Sequence, residues 1–233
     1  MIKKSTLEEV ISKDLAAIWT ILSPEEKRVI ADNFVIRKFK KNQIIYAERD
    51  EPVYLWTLLD GKVKLMKDGM GGRQQILRLY RPIQYFGYRA FFAHEPYVSS
   101  AVAFEASTLG MLPMKLVTEM IDNNRKLAWF FINELSKNLG GSDTKIVNLT
   151  QKHLRGRLAE ALTVMLDHYG YEEDGETLKI YMAREDLANL SNMTTSNAIR
   201  TLSTFVQERI ITVDGRRIKI LNEENLRNIS KFG

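Results

Sequence analysis

The sequence predicts an α+β protein in three successive pieces: a double-stranded β-helix or jelly roll, a long helix, and a C-terminal winged helix–turn–helix. Three observations carry that expectation. Between about Phe34 and Met114, short β-rich runs alternate with Gly, Pro and Asp turns. From Lys115 the apolar period becomes helical. After Gln151 the pattern runs helix, strand, helix, turn, helix and hairpin, which is the order of a winged helix–turn–helix.

Residues 5 to 33 read as short helices. Ser23 is placed to cap one of them, with Pro24 at the first helical position and Glu26 as capping-box partner. The β-rich runs are Phe34–Phe39, Gln43–Ala47, Tyr54–Leu58, Lys62–Met66, Gln75–Tyr80, Ser100–Phe104 and Thr108–Pro113. Asp60-Gly61 and Asp68-Gly69 are turn signals between them. Many short strands at this spacing predict a closed roll.

In the long helix Leu127, Phe131, Leu135, Leu139, Ile146 and Leu149 recur at spacings of three, four or seven, and Trp129 to Ile132 are apolar in a row. Such a helix is covered on more than one side. One face suits the β-roll and another a second copy, with Leu135, Leu139, Gly140, Gly141 and Ile146 as the expected contact. A core helix of a single chain is the alternative. The adjacent Gly140 and Gly141 are costly inside a helix, about 1 kcal/mol each relative to alanine. Either the helix kinks there or another backbone comes close. The changes of texture place domain borders at 1–114, 115–150 and 151–233.

The stretch TTSNAIRTL, Thr194 to Leu202, carries the chemistry. Short hydroxyl and amide side chains are poor inside helices but suit a helix N-terminus. A first helix over roughly Ala183 to Leu190 would bury Leu187 and Leu190, with Ala188 small enough for a tight crossing. Asn192 tolerates the left-handed turn, and Thr194 caps the second helix. Ala198, Leu202 and Phe205/Val206 then face the core, leaving Thr195, Ser196, Asn197 and Arg200 outward. A recognition helix enters the major groove by its N-terminal residues, where arginine binds guanine bidentately. A merely solvated helix face is the plain alternative; the preceding helix, the turn and the basic hairpin weigh against it.

Composition narrows the class. The net charge of +5 hints at an acidic partner. From Gln151 onward, however, 12 Lys/Arg face 12 Asp/Glu, so the excess lies in the first 150 residues. The chain has no cysteine, which excludes disulfides and cysteine-ligated iron–sulfur clusters. No apolar run reaches the roughly 20 residues of a membrane span, and the N-terminus lacks a signal-peptide core, so a cytoplasmic protein is expected.

On these residues, and on the segment Leu58 to Leu65, LLDGKVKL, the chain resembles the Crp/Fnr family of bacterial transcription regulators over nearly its whole length. The resemblance implies an effector domain like a cyclic-nucleotide-binding domain, a dimerisation helix, double-stranded DNA with an inverted-repeat operator as partner, and RNA polymerase as a further one. It places base reading on Thr195, Ser196 and Arg200, and phosphate contacts on Arg184, Thr194 and Arg216, with Arg217 beside it in the wing. The family's Arg-Glu pair is replaced by Thr195 and Ser196, so a different operator is expected.

The implied effector pocket comprises Phe86, Gly87, Tyr88, Arg89, Val98 and Ser99, with Ser142 and Asp143 from the long helix. Tyr88 stands where nucleotide-binding members have a ribose-contacting glutamate, and Val98 where they have an arginine for the cyclic phosphate. A buried phosphate needs a paired cation, and Arg89 is one residue displaced, where strand alternation would turn it away. Cyclic AMP is therefore not expected, and the effector is left unnamed; a cyclic-nucleotide- or haem-responsive member is the alternative. For haem, His94 is the one histidine in the effector domain. The aromatic residues Phe86, Tyr88, Phe91, Phe92 and Tyr97 either fill the roll or receive a planar ligand. An enzyme of the metal-holding cupin type would need clustered histidines and carboxylates in the roll, and one histidine does not provide them. A nucleotide-binding module without DNA binding is opposed by Arg200 and the wing arginines.

Overall fold

Ser23 accepts a hydrogen bond from the Glu26 amide, and the Glu26 carboxylate accepts one from the Ser23 amide at 2.6 Å. This capping box starts α2 (Pro24–Asn33), which follows the single turn α1 (Ala16–Trp19). The computed structural model describes residues 16–233; the part of the expected short helices that falls on residues 5–15 lies outside them. The chain divides into two compact units. The first holds the described residues up to Lys67 and Leu77–Leu139, the second Asp68–Ile76 and Gly140–Gly233.

The first unit is a β-roll of two four-stranded sheets. Its strands are β1 (Val35–Phe39), β2 (Ile44–Tyr46), β3 (Tyr54–Asp60), β4 (Val63–Asp68), β5 (Gln74–Tyr80), β6 (Tyr85–Phe86), β7 (Ser100–Ala103) and β8 (Ser107–Pro113). One sheet runs β1-β8-β3-β6 and the other β2-β7-β4-β5. Trp56 sits opposite both Met111 and Phe86, which sets the register of the first sheet's core face. α1, α2 and the turn between them pack Ile18, Leu22, Ile30 and Ala31 with Leu112, Val117, Leu127 and Phe131.

Two departures from the sequence reading lie between β5 and β7. The strand β6 is only two residues long, and Tyr88–Phe92 forms a helix, α3, entered through Gly87 at φ 92°. The alternation argument for Arg89 therefore does not apply, because residue 89 is helical. Gly87 is required there. A Cβ would meet Trp56 Cδ1 at 2.8 Å and the Tyr54 carbonyl at 2.9 Å, and the backbone is left-handed.

The helical region after Pro113 is also divided. Helix α4 (Met114–Asn123) ends at Asn124, and α5 (Arg125–Gln151) starts afresh. Asn124 Oδ1 accepts from the amides of Lys126 and Leu127, both at 3.1 Å, while its Nδ2 donates to the Ile21 carbonyl and to Glu26. One side chain thus caps α5 and ties the break to α2. Of the two readings of Gly140-Gly141, a kink or a close backbone approach, the chain shows no break in the helix: α5 is one helix of 27 residues. A Cβ at either glycine would meet nothing within 4 Å.

The second unit contains α6 (Leu154–Tyr169), α7 (Arg184–Leu190), α8 (Thr195–Gln207), the hairpin β9 (Ile211–Asp214) and β10 (Arg217–Ile220), and a final helix α9 (Glu223–Phe232). The strand expected after the first helix of this unit, LKIYM at Leu178–Met182, is reduced to isolated bridges, Tyr171 to Leu178 and Thr177 to Lys219. Its hydrogen bonds are few: the Leu178 amide donates to the Ile218 carbonyl and the Lys179 amide to that of Gly170. Helix α9 has no counterpart in the sequence reading. Asn222 caps it through the Asn225 amide at 2.9 Å, and Gly233, just past its end, packs against Gly156 on α6.

Candidate nucleic-acid interface

Helix α7 carries Glu185 and Asp186 in its first turn, where the helix dipole favours acids, and buries Leu187, Ala188 and Leu190. Its end is locked by short-range bonds. The Ser191 hydroxyl donates to the Leu187 carbonyl at 2.8 Å, and the Met193 amide to that of Ala188 at 3.0 Å. Between them Asn192 adopts φ 50°, the left-handed turn its side chain tolerates.

Thr194 then caps α8, its hydroxyl accepting from the Asn197 amide at 3.2 Å. Ala198, Leu202 and Phe205 are buried, whereas Val206, expected beside Phe205 in the core, is 39% exposed. A helix turns about 100° per residue, so two neighbouring positions rarely share one narrow core stripe. Thr194, Thr195, Ser196 and Arg200 are exposed and Asn197 is half-buried. Three short polar side chains and one guanidinium thus occupy the N-terminal end of a helix whose amides also point outward.

The hairpin pairs Arg217 with Asp214 and Ile218 with Val213 in antiparallel register, turning through Gly215 at φ 56°. Arg216 and Arg217 are exposed at this turn. Arg217 lies over the Tyr181 ring at 5.6 Å from its centroid, and Tyr181 donates to Glu172 at 2.6 Å. That bond to a carboxylate raises the Tyr181 pKa. Arg184 is half-buried and donates from Nη2 to the Gly215 carbonyl at 2.7 Å. It therefore braces the hairpin tip against α7 and keeps further N–H groups for a phosphate. Sequence reading missed that brace and the Tyr181 seat: the first joins residues 31 apart, and no local pattern announces it.

The effector-pocket candidates divide between the units. Phe86, Gly87, Tyr88, Arg89, Val98 and Ser99 belong to the first, Ser142 and Asp143 to the second. In the first unit Tyr88 is buried, and its hydroxyl accepts from Asn138 Nδ2 at 3.0 Å. Asn138 in turn receives both guanidinium arms of Arg78, one on Oδ1 and one on its carbonyl. Burial holds the Tyr88 phenol well above its ordinary pKa. Arg89 is paired outward with Glu95 at 2.6 Å, and Val98 is 43% exposed, its carbonyl accepting from Lys67 Nζ. Ser99 is buried.

The interior of the roll is aromatic. Tyr46 and Tyr97 stack with centroids 3.7 Å apart, Tyr80 stacks on Phe86 at 4.8 Å, and Phe86 on Trp56 at 6.4 Å. Burial pushes the Tyr97 phenol up to about 12. His94 stands in a turn at φ 54°. Among the described residues no group of three or more His, Cys, Asp or Glu side chains could hold a metal ion, and no helix is long and apolar enough to cross a membrane.

On α5, Leu139 and Ile146 are 65% and 61% exposed, and Trp129, Ile132 and Val147 also stand out. Gly140 and Gly141 are exposed between them. Leu135 is half-buried against the core of the first unit.

Residues 36–124 match the family model of the cyclic nucleotide-binding domain, and residues 156–229 that of the Crp-like helix-turn-helix domain. The chain is 20% identical to the CRP-like cAMP-activated global transcriptional regulator of Mycobacterium tuberculosis, over 94% of this chain and 98% of that protein. It is 24% identical to the fumarate and nitrate reduction regulatory protein of Vibrio cholerae, over 85% and 80% respectively. Among solved structures, FixK2 from Bradyrhizobium japonicum has the same fold, with a TM-score of 0.76 at 20% identity, covering 84% of this chain and 96% of that one.

Proposed function

This chain belongs to the Crp/Fnr family of DNA-binding transcription regulators, and from that premise we propose that it acts as a cytoplasmic homodimer reading an inverted-repeat operator. The observation that carries the reading is the outward tip of α8. Thr195, Ser196 and Arg200 are free to enter a major groove because Ala198, Leu202 and Phe205 hold the opposite face in the core. In this assignment Arg200 engages a guanine and Thr195 and Ser196, helped by Asn197, approach neighbouring base edges. Thr194, Arg184, Arg216 and Arg217 hold the phosphates. A C2 dimer through Leu135, Leu139, Gly140, Gly141 and Ile146 would present two such tips to half-sites one helical turn apart. The working domains are 1–114, 115–150 and 151–233. RNA polymerase is the proposed protein partner, and the chain is read as having no catalytic role.

Cyclic AMP is not the proposed effector. Tyr88 is buried and already hydrogen-bonded, Val98 carries no charge, and Arg89 is engaged by Glu95. A cyclic phosphate would thus lack its cation. Calorimetry with cyclic AMP should give no saturable heat; a micromolar dissociation constant would overturn this part.

The DNA reading is tested by selecting duplexes from a random pool and titrating variants on the winner. Arg200→Ala should lose about 1–3 kcal/mol on the selected site and blur one base pair per half-site. Arg216→Ala should weaken all sequences alike and lower the salt slope by about 1 per contact. If Arg200→Ala binds the selected duplex as tightly as the parent, α8 is not the reading helix.

A further inference from the structure

Near its N-terminal tip, helix α8 presents a side chain that the base-reading and phosphate assignments leave unused. Ile199 is 48% exposed, although its neighbour Ala198 is fully buried. A lone exposed aliphatic residue is ordinary on a protein surface. The place of this one makes it informative. At about 100° per residue, Ile199 lies about 60° around the helix from Ser196 and about 100° from Arg200. It is one turn in from the capping residue Thr194, so it flanks the proposed reading face at the depth of Arg200. Every other exposed side chain from Thr194 to Arg200 carries a hydroxyl or a guanidinium, so Ile199 is the wholly apolar one among them. Isoleucine is also stiff at χ1, which suits a fixed contact more than a mobile one.

Base edges in the major groove offer hydrogen-bonding groups and one apolar group, the C5-methyl of thymine. A branched aliphatic side chain cannot hydrogen-bond, and pressing it onto a purine edge would strip water from N7 or O6 without replacement. We infer that Ile199 packs on the C5-methyl group of a thymine in each half-site, near the base pair engaged by Arg200, and so sets operator specificity by contact with a methyl group. The inference rests on the DNA-binding reading above and adds to it a base and a residue.

The test uses the full chain and the duplex it selects from the random pool. Thymines of the half-sites are replaced one position at a time by deoxyuridine, which removes the methyl group and leaves pairing intact. One thymine per half-site should cost the parent about fourfold in affinity when replaced, the scale of burying one methyl group. Ile199→Ala should bind the thymine and uracil duplexes alike, Ile199→Val should keep most of the difference, and Arg200→Ala should keep the thymine-to-uracil ratio while losing affinity. An unchanged parent affinity at every uracil position overturns the inference. So does an Ile199→Ala protein that still discriminates fully, or a discrimination abolished by Thr195→Ser instead, which would assign the methyl contact to Thr195. If the pool yields no preferred duplex, the DNA-reading proposal itself falls, a result distinct from a selected duplex indifferent to its methyl groups.

Discussion

At the tip of α8, Thr195, Ser196 and Arg200 face solvent from a short helix whose conformation is set within a few residues by the Thr194 cap and the Asn192 turn. Inside the β-roll, Tyr46, Trp56, Tyr80, Phe86 and Tyr97 face one another from strands and loops distant in sequence. Both regions belong to domains with matching family models. They differ in what a substitution can change. The helix tip exchanges its outward groups at little structural cost, because Thr195, Ser196 and Arg200 are exposed while Ala198, Leu202 and Phe205 hold the buried face. The roll interior is close-packed, and beside it the buried Tyr88 is tied through Asn138 to Arg78, so a substitution in this region disturbs packing and a hydrogen-bond chain together.

The sharpest way to break this comparison is to open a cavity in each region separately. Phe86 and Phe205 are both essentially without exposure, and each truncation to alanine should cost about 3–5 kcal/mol. All three tryptophans, Trp19, Trp56 and Trp129, lie in the first unit. Tryptophan emission during denaturation should therefore register Phe86→Ala strongly, since Phe86 stacks on Trp56. Phe205→Ala should abolish operator binding with little change in the emission transition. If both variants shift that transition equally, the two units unfold as one, and the contrast between them has no energetic basis.

The same contrast explains what could be read from the sequence. The Ser23 capping box, the Asn192 turn and the Thr194 cap are made by residues within five positions of one another, so their geometry follows from local chemistry. Most β-roll strands were legible from β-rich runs bounded by turns. What escaped was non-local or very short. Helix α3 depends on a left-handed Gly87 pressed against Trp56, 31 positions away in sequence. The break at Asn124 depends on Ile21 and Glu26. Helix α9 had a signal, Asn222 followed by Glu223 and Glu224, which passes for a polar tail when no apolar stripe is sought beyond it. Arg184 is the instructive case at the interface. Its identity was legible, but its bond to the Gly215 carbonyl, which makes it part of the hairpin's support, was not.

A smaller effect is expected where the two units meet along the chain, at Gly140 and Gly141 in α5. The helix is continuous there, so the pair does not serve as a kink. Within the chain a Cβ at either position would touch nothing, so alanine is sterically free. Helix propensity then favours Gly140→Ala/Gly141→Ala by up to about 2 kcal/mol, and the melting temperature should rise. The flanking Leu139 and Ile146 are exposed on the proposed dimer face, and two helices approach most closely where side chains are smallest. Adding two methyl groups should hold the paired helices apart and change the spacing of the two α8 tips. The double variant is thus expected to melt higher and bind its operator more weakly, with a raised dimer dissociation constant in sedimentation. Higher melting with unchanged dimerisation and operator affinity would place the glycine pair outside the dimer contact. The two exposed leucine and isoleucine layers would then have to meet their partner without a close backbone approach.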